Sequence, residues 1–168
     1  MRIALVLVAL LAAVPAAAQN PWDLGKEVVG KATTGKLESE VNKRLLSESR
    51  KNQCSFKTDT DVLEKGCDPK AKRLANALVD AKKRLEAAGV RNFKFEVSGH
   101  TDSSGSAAHN KELSQRRAEK MKRELAAKGV PDADIIAVGM GSERPAVKPD
   151  NTPAKKAKNR RYEVQVRL

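Results

Sequence analysis

The stretch FKFEVSGHTDSSGSAAHNKELSQRRAEK, residues 93–120, contains a strand pattern, a loop pattern and a helix pattern in direct succession. Aromatic and aliphatic residues alternate with polar ones from Phe93 to Val97, which predicts a strand with one buried face. Ser and Gly dominate the segment 99–110, which predicts a loop. A helix is predicted over about 111–128, so an aspartate follows the strand and a double arginine lies on the helix.

The flanking sequence extends this pattern in both directions. Before the strand, four apolar residues at helical spacing predict a helix that begins at Asp68-Pro69 and ends at Gly89, and these are Leu74, Leu78, Ala81 and Leu85. Further upstream, the alternation of Cys54, Phe56 and Thr58 predicts a short first strand.

After the second helix, Ile135 to Val138 predicts a third strand, and 139–158 predicts a long connection rich in turns. The last strand is predicted from alternating apolar residues, which are Tyr162, Val164, Val166 and Leu168. The predicted order is therefore β-α-β-α-β-β. Such an order favours an α+β fold, in which two helices pack on one face of a small mixed β-sheet.

The N-terminus resembles a secretory signal peptide in composition. Arg2 precedes an apolar run, and small residues end at Ala18, so we expect cleavage after Ala18. The run is shorter than the roughly 20 residues that span a bilayer. Position 19 is Gln rather than Cys, so no lipid anchor is expected. The chain is thus divided into a signal peptide (1–18), a polar helical segment or linker (19–52) and one folded domain (53–168).

Within the polar segment, Leu37, Val41 and Leu45 recur every four residues and predict a helix over about 36–50. Its narrow apolar stripe leaves three alternatives open. The helix packs on the domain, pairs with an envelope protein or a second copy of the chain, or serves as a stalk.

The charge of the chain indicates the kind of surroundings that it meets. The 168 residues carry a formal net charge of +12, and removal of residues 1–18, with Arg2, leaves 150 residues and +11. A basic exported protein is expected near anionic partners. With one Trp, one Tyr and three Phe in the chain, there is no row of aromatic side chains on which nucleic-acid bases could stack.

The two cysteines, Cys54 and Cys67, are an even number in an exported chain, which predicts a disulfide. The bond would close a loop of 14 residues and stabilise the fold by about 3 kcal/mol. Free thiols and a metal pair are the alternatives, but no histidine is near enough to complete a zinc site. We therefore expect no metal and no cofactor.

Two charged residues of the central stretch are candidates for a binding site. Leu113, Met121 and Leu125 are spaced by multiples of four, and Arg117 occupies the missing place in this series. Arg117 is therefore expected at the edge of the buried stripe, close to Asp102 at the end of the strand. The two could form a structural salt bridge. Alternatively, Asp102 could bind the ammonium of a ligand while Arg117 binds its carboxylate.

Four blocks in this order carry a resemblance to a known family: GHTDSSG (99–105), NKELSQRRA (110–118), GVPDADIIAVGMGSERP (129–145) and NRRYEV (159–164). Together they resemble the OmpA-like peptidoglycan-binding domain, and the resemblance covers residues 53–168. It departs from the family at Lys57, where an acidic residue is frequent, and at His109, where Tyr is frequent.

The resemblance implies that Asp102 and Arg117 bind the diaminopimelate residue of the peptidoglycan stem peptide. It further implies that Asn110 and Leu113 line the pocket, and that Arg160 or Arg161 reaches the ligand or holds a loop. Thr101 is expected to supply a neutral hydrogen bond.

The implied location is the periplasm of a Gram-negative bacterium, in association with peptidoglycan and at the inner face of the outer membrane. A basic periplasmic adaptor that binds an anionic surface or a partner protein is the alternative function. No enzyme is expected, because His100 and His109 are the only histidines and no nucleophile has a base at a recognisable spacing.

Overall fold

The computed structural model describes residues 21–168, with side chains from residue 33 onward, so the predicted signal peptide lies outside the described residues. The elements in chain order are α1 (Pro21–Lys51), α2 (Cys67–Ala87), β1 (Lys94–His100), α3 (Ala107–Ala126), a 3-10 turn (Asp132–Asp134), β2 (Ile135–Gly139), α4 (Pro153–Asn159) and β3 (Arg161–Arg167).

The three strands form one mixed sheet in the order β2-β1-β3. β1 pairs in parallel with β2, with Phe95 opposite Ile135, and antiparallel with β3, with Val97 opposite Val164. The parallel pair is joined through α3, since parallel neighbours need a crossover connection. The predicted α+β class with a small mixed sheet is confirmed.

One face of this sheet forms the core together with the helices. The alternating residues Phe95, Val97, Val164 and Val166 are all fully buried. The predicted stripe of α2 is buried as well, from Leu74 to Leu85, and the stripe of α3 joins the same cluster through Met121 and Leu125. The apolar faces of the strands, with a period of two residues, and of the helices, with a period of 3.6, therefore pack against each other in one layer, as the sequence predicts.

The predicted first strand is wrong in extent. Only one bridge forms there, between Phe56 and Leu63. The chain turns directly after Phe56, because the N–H of Thr60 donates to the carbonyl oxygen of Lys57 at 3.2 Å and Asp59 has a φ of 56°. The alternation of apolar residues is too short to extend beyond this turn.

The helix starts also differ from the predicted ones. α2 begins at Cys67 after Gly66, which has a φ of 86°, so Asp68 lies in the first turn and not at the cap. α3 begins at Ala107, because the Ser106 side chain accepts a hydrogen bond from the N–H of His109 at 3.2 Å.

The short helix α4 lies inside the segment predicted as an irregular connection. Thr152 caps it by accepting a hydrogen bond from the N–H of Lys155 at 3.3 Å, and Pro153 is its first residue.

The second half of α1 packs on the domain, which is the first of the three alternatives for this segment. Val41 and Leu45 are buried in the core. The amide of Asn42 donates to Val166 O at 3.2 Å and accepts from Val166 N at 2.6 Å. Gln53 forms the same reciprocal pair with the backbone of Tyr162, at 2.7 and 3.2 Å. Across the described residues, the helices are too short or too polar for a membrane span.

The predicted disulfide between Cys54 and Cys67 is confirmed, with Cα atoms 5.0 Å apart. It closes residues 54–67, which we call the disulfide loop. The loop is also held at its start, where the hydroxyl of Tyr162 donates to the carbonyl of Asn52 and accepts from the N–H of Cys54. Burial raises the pKa of Tyr162, so this hydroxyl keeps its proton.

Candidate functional site

A cleft of about 1170 Å³ lies where β1 ends and α3 begins, and the disulfide loop forms one of its walls. The seven residues predicted as ligand-binding all line it, and they are Thr101, Asp102, Asn110, Leu113, Arg117, Arg160 and Arg161. The topology explains this, because the C-terminal end of β1 and the first turns of α3 are joined by six residues only.

Asp102 leaves β1 two residues after its end and is 8% exposed. Its Oδ1 accepts from the N–H of Ser104 at 2.9 Å, and its Oδ2 accepts from Nη1 of Arg160 at 2.7 Å. Burial acts to raise the pKa of Asp102, but the hydrogen bonds from Arg160 and Ser104 outweigh it, so the pKa is lowered. The side chain is therefore an anion at neutral pH.

Arg117 lies on α3 as the sequence predicts, 7% exposed and beside the core. Its Nε donates to Thr60 O at 2.9 Å and its Nη2 to Lys57 O at 3.3 Å. Its guanidinium carbon lies 5.1 Å from the centre of the Phe56 ring. Burial and the nearby charge of Arg160 lower the pKa of Arg117, but a guanidinium remains protonated at neutral pH.

The direct salt bridge between Asp102 and Arg117 is not formed. Among the ion pairs of the described residues, Asp102 pairs with Arg160, and Arg117 is held by carbonyl oxygens of the disulfide loop. The two side chains instead lie on the walls of one cleft as separate charges of opposite sign.

The two arginines of the NRR block have different surroundings. Arg160 has a side chain that is 46% exposed and touches Asp102. Arg161 has a side chain that is 12% exposed, and its three nitrogens donate to Glu163 Oε1, Asn159 O and Arg144 O at 2.8, 3.3 and 3.1 Å.

The neutral residues of the cleft shape its floor. Asn110 is buried, and its amide donates to Ser104 O at 2.8 Å and to Asp102 O at 3.4 Å, which fixes the backbone around the carboxylate. Leu113 is 5% exposed and gives an apolar surface. Thr101 is 3% exposed, and its hydroxyl has no hydrogen-bond partner within the part of the chain that the structure describes.

The contribution of the disulfide loop was missed in the sequence. Phe56 stacks on Arg117, and Asp59 accepts a hydrogen bond from Nε2 of His109 at 2.6 Å, which ties the loop to α3. Lys57 contributes its carbonyl oxygen, while the residue itself is exposed. Two signals for this loop were present in the sequence: the family resemblance at position 57, and the pairing of Cys54 with Cys67, which brings the loop back onto the domain but does not reveal that the loop holds Arg117.

His100 has a different environment from His109. It is 3% exposed, and burial lowers its pKa to about 4, with a further lowering by Arg161. Within the part of the chain that the structure describes, no three acidic, histidine or cysteine side chains come together as a metal site.

The sequence matches the OmpA family over residues 56–160. It is 51% identical over 72 residues to outer membrane porin F of Pseudomonas fluorescens, a segment covering 42% of this chain and 22% of that protein. It is 41% identical over 70 residues to the peptidoglycan-associated lipoprotein of Buchnera aphidicola, covering 42% of this chain and 40% of that one. The chain thus matches less than half the length of either relative.

The fold is also found among solved structures. The peptidoglycan-associated lipoprotein of Burkholderia pseudomallei superposes with a TM-score of 0.56 and 26% identity, and the superposition covers 68% of this chain and 89% of that one. Since the family match covers residues 56–160, more than half of the chain, and includes both Asp102 and Arg117, this chain belongs to the OmpA family.

Proposed function

We propose that the chain binds peptidoglycan non-covalently, through the diaminopimelate residue of the stem peptide. The single observation that supports this best is the cleft in which Asp102 and Arg117 lie as separate, buried, opposite charges. Membership of the OmpA family supports cell-wall binding in general, and relatives carry names such as peptidoglycan-associated lipoprotein. The residue that is recognised is our inference from the chemistry of the cleft.

The free end of diaminopimelate carries one ammonium and one carboxylate. The ammonium would bind Asp102, whose ionised carboxylate has lone pairs left beyond the hydrogen bonds from Ser104 and Arg160. The carboxylate would bind Arg117. Two of the five N–H donors of its guanidinium are used by the loop carbonyls of the described chain, so three are left for a planar acceptor.

Of the two arginines that follow α4, we propose that Arg160 contacts the ligand. It is half-exposed and already at the carboxylate of Asp102, so it could move to the ligand carboxylate when an ammonium takes its place. Arg161 holds the connection between β2 and α4, because its donors are used by backbone and by Glu163.

We propose that Asn110, Leu113 and Thr101 shape and line the site around these charges. We also propose that residues 53–168 form the binding module, preceded by the helical segment 19–52 and the signal peptide 1–18. The observed packing of α1 on β3 favours the segment as a support of the module over a free stalk.

A periplasmic location agrees with these findings. Relatives are named as outer membrane proteins and lipoproteins, and a disulfide persists in an oxidising compartment. We propose binding without catalysis, because His100 is a weak base at a pKa of about 4 and His109 is paired with Asp59.

The test is a calorimetric titration with a tripeptide that contains diaminopimelate. Asp102→Ala should weaken binding about ten-fold or more, because a hydrogen bond to a charged group contributes roughly 1.5–3 kcal/mol. Arg117→Lys should also weaken it, since Lys keeps the charge but loses the planar fork. Asp80→Ala is the matched control, because Asp80 is an exposed carboxylate on α2 outside the cleft.

Circular dichroism should show that all variants are folded. If Asp102→Ala and Arg117→Lys are folded and bind the tripeptide as well as the unchanged protein does, the two residues have a structural role only. A tripeptide with lysine in place of diaminopimelate lacks the terminal carboxylate, so it should bind as weakly to the unchanged protein as diaminopimelate does to Arg117→Lys. Equal affinity for both tripeptides would contradict the proposed recognition.

A further inference from the structure

A second, smaller cavity of about 310 Å³ lies on the other side of the Asp102 loop. Thr101 lines both this cavity and the main cleft, so the two are separated by about one residue. Its volume is at the lower end of the roughly 300–1,000 Å³ of small-molecule pockets, which suits a group of one ring.

Hydrogen bonds across the cavity hold its walls. Asp150 accepts from the N–H and the hydroxyl of Ser103 at 2.8 and 2.5 Å, and from the amide of Asn159 at 3.0 Å. The backbone N–H of Thr101 donates to the carbonyl oxygen of Gly141 at 2.9 Å, which places Ser142 beside Thr101. The cavity is therefore formed before any ligand enters.

The lining favours a neutral group with both apolar and polar parts. Lys148 and Asp150 contribute one charge of each sign, and Pro145 and Pro149 contribute apolar surface. Thr101 is 97% buried, since it is 3% exposed, and its hydroxyl has no partner among the described residues. A buried hydroxyl without a partner is unusual and is explained if a ligand atom completes its hydrogen bond.

We propose that this cavity binds an N-acetylated sugar of the glycan strand, while the main cleft holds the stem peptide attached to that strand. The acetyl methyl group packs on the proline rings, and the acetyl carbonyl accepts a hydrogen bond from the hydroxyl of Thr101 or Ser142. This inference rests on the proposed function, because it places the sugar next to a bound stem.

The test compares two probes on the full-length protein by calorimetry: the free diaminopimelate tripeptide and the same tripeptide attached to its N-acetylated disaccharide. The disaccharide form should bind about ten-fold more tightly, because one neutral hydrogen bond and the burial of the acetyl methyl group on the proline rings together contribute about that factor. Ser142→Phe, which fills the cavity, should remove this difference and leave the tripeptide affinity unchanged. Ser142→Ala should remove part of it, and Ser47→Phe on exposed α1 surface is the matched control.

The outcomes separate the two proposals. If both probes bind the unchanged protein equally, the glycan site is wrong and the stem site stands. If the disaccharide form binds more tightly and both Ser142 variants keep the full difference, the sugar lies elsewhere and the inference is overturned. If the free tripeptide does not bind but the disaccharide form does, the proposed stem site is contradicted. If neither probe binds, both proposals are overturned.

Discussion

Removal of the disulfide should lower the stability of this protein by an amount that follows from its topology. In the double variant Cys54→Ser with Cys67→Ser, the unfolded chain is no longer constrained by a closed loop of 14 residues, so its conformational entropy rises. The chain-entropy relation gives about 3 kcal/mol for a loop of this size. For a domain of about 150 residues this corresponds to a decrease in Tm of about 10 °C.

The effect should extend to the cleft, because the loop supplies both carbonyl oxygens that hold Arg117 and the ring that stacks on it. We therefore expect the tripeptide to bind more weakly to the double variant even well below its Tm. Thermal and denaturant unfolding followed by circular dichroism measure the first effect, and calorimetric titration measures the second.

A reducing phosphine gives the matched control. It should lower the Tm of the unchanged protein toward that of the double variant, and it should leave the double variant unaffected. A double variant with the same Tm and the same free energy of unfolding as the oxidised protein would refute the argument from loop closure. Unchanged tripeptide affinity would refute the assigned role of the loop as a wall of the site.

Three further predictions concern packing, pH and salt. Gly139→Ala should lower the free energy of unfolding by about 3 kcal/mol, because its Cβ would lie 2.5 Å from Gln115 N on α3. Gly35→Ala places its Cβ within 4 Å of no other atom and should raise the free energy of unfolding by about 0.5–1 kcal/mol. Denaturant unfolding measures both effects. The pKa of His100 in the folded protein is about 4, below its ordinary 6.5, so the unfolded chain binds the proton more readily. The free energy of unfolding should therefore decline by about 3 kcal/mol as the pH falls from 6.5 to 4. His100→Gln should make this decline smaller when unfolding is measured as a function of pH. Binding to purified sacculi should weaken only modestly between low and moderate salt. Screening over about 10 Å at 0.1 M acts on the exposed basic surface and less on the buried charges of Asp102 and Arg117. Complete loss of binding at moderate salt in a sedimentation assay would favour the adaptor that binds an anionic surface.

The regular elements could be predicted because their apolar residues repeat at the period of the element. The stripe of α2 and the alternation in β1 and β3 are examples, since each places one face in the core. The helix boundaries that are set by a single capping side chain were harder to predict from the sequence. Ser106 starts α3 and Thr152 starts α4, and a capping residue looks the same in sequence whether or not a helix follows.

The positions of the charges were predicted better than their partners. The spacing placed Arg117 at the edge of a buried stripe, and the structure has it there, 7% exposed. The structure gives Asp102 the partner Arg160, which is 58 residues away in sequence. Arg117 is held by backbone carbonyl oxygens, and every residue has one, so no residue type in the sequence indicates which of them are used.

The amide pairs at β3 have a consequence for how two copies of the protein can associate. β3 is one of the two outer strands of the sheet, and outer strands have free N–H and C=O groups to which another chain can add a strand. Here the side chain of Asn42 binds both backbone groups of Val166, and the side chain of Gln53 binds both backbone groups of Tyr162, four residues away on the same edge of β3. A second copy that adds a strand along β3 would have to displace both amide pairs, so Asn42 of α1 and Gln53, just after this helix, protect this edge of the sheet from edge-to-edge pairing.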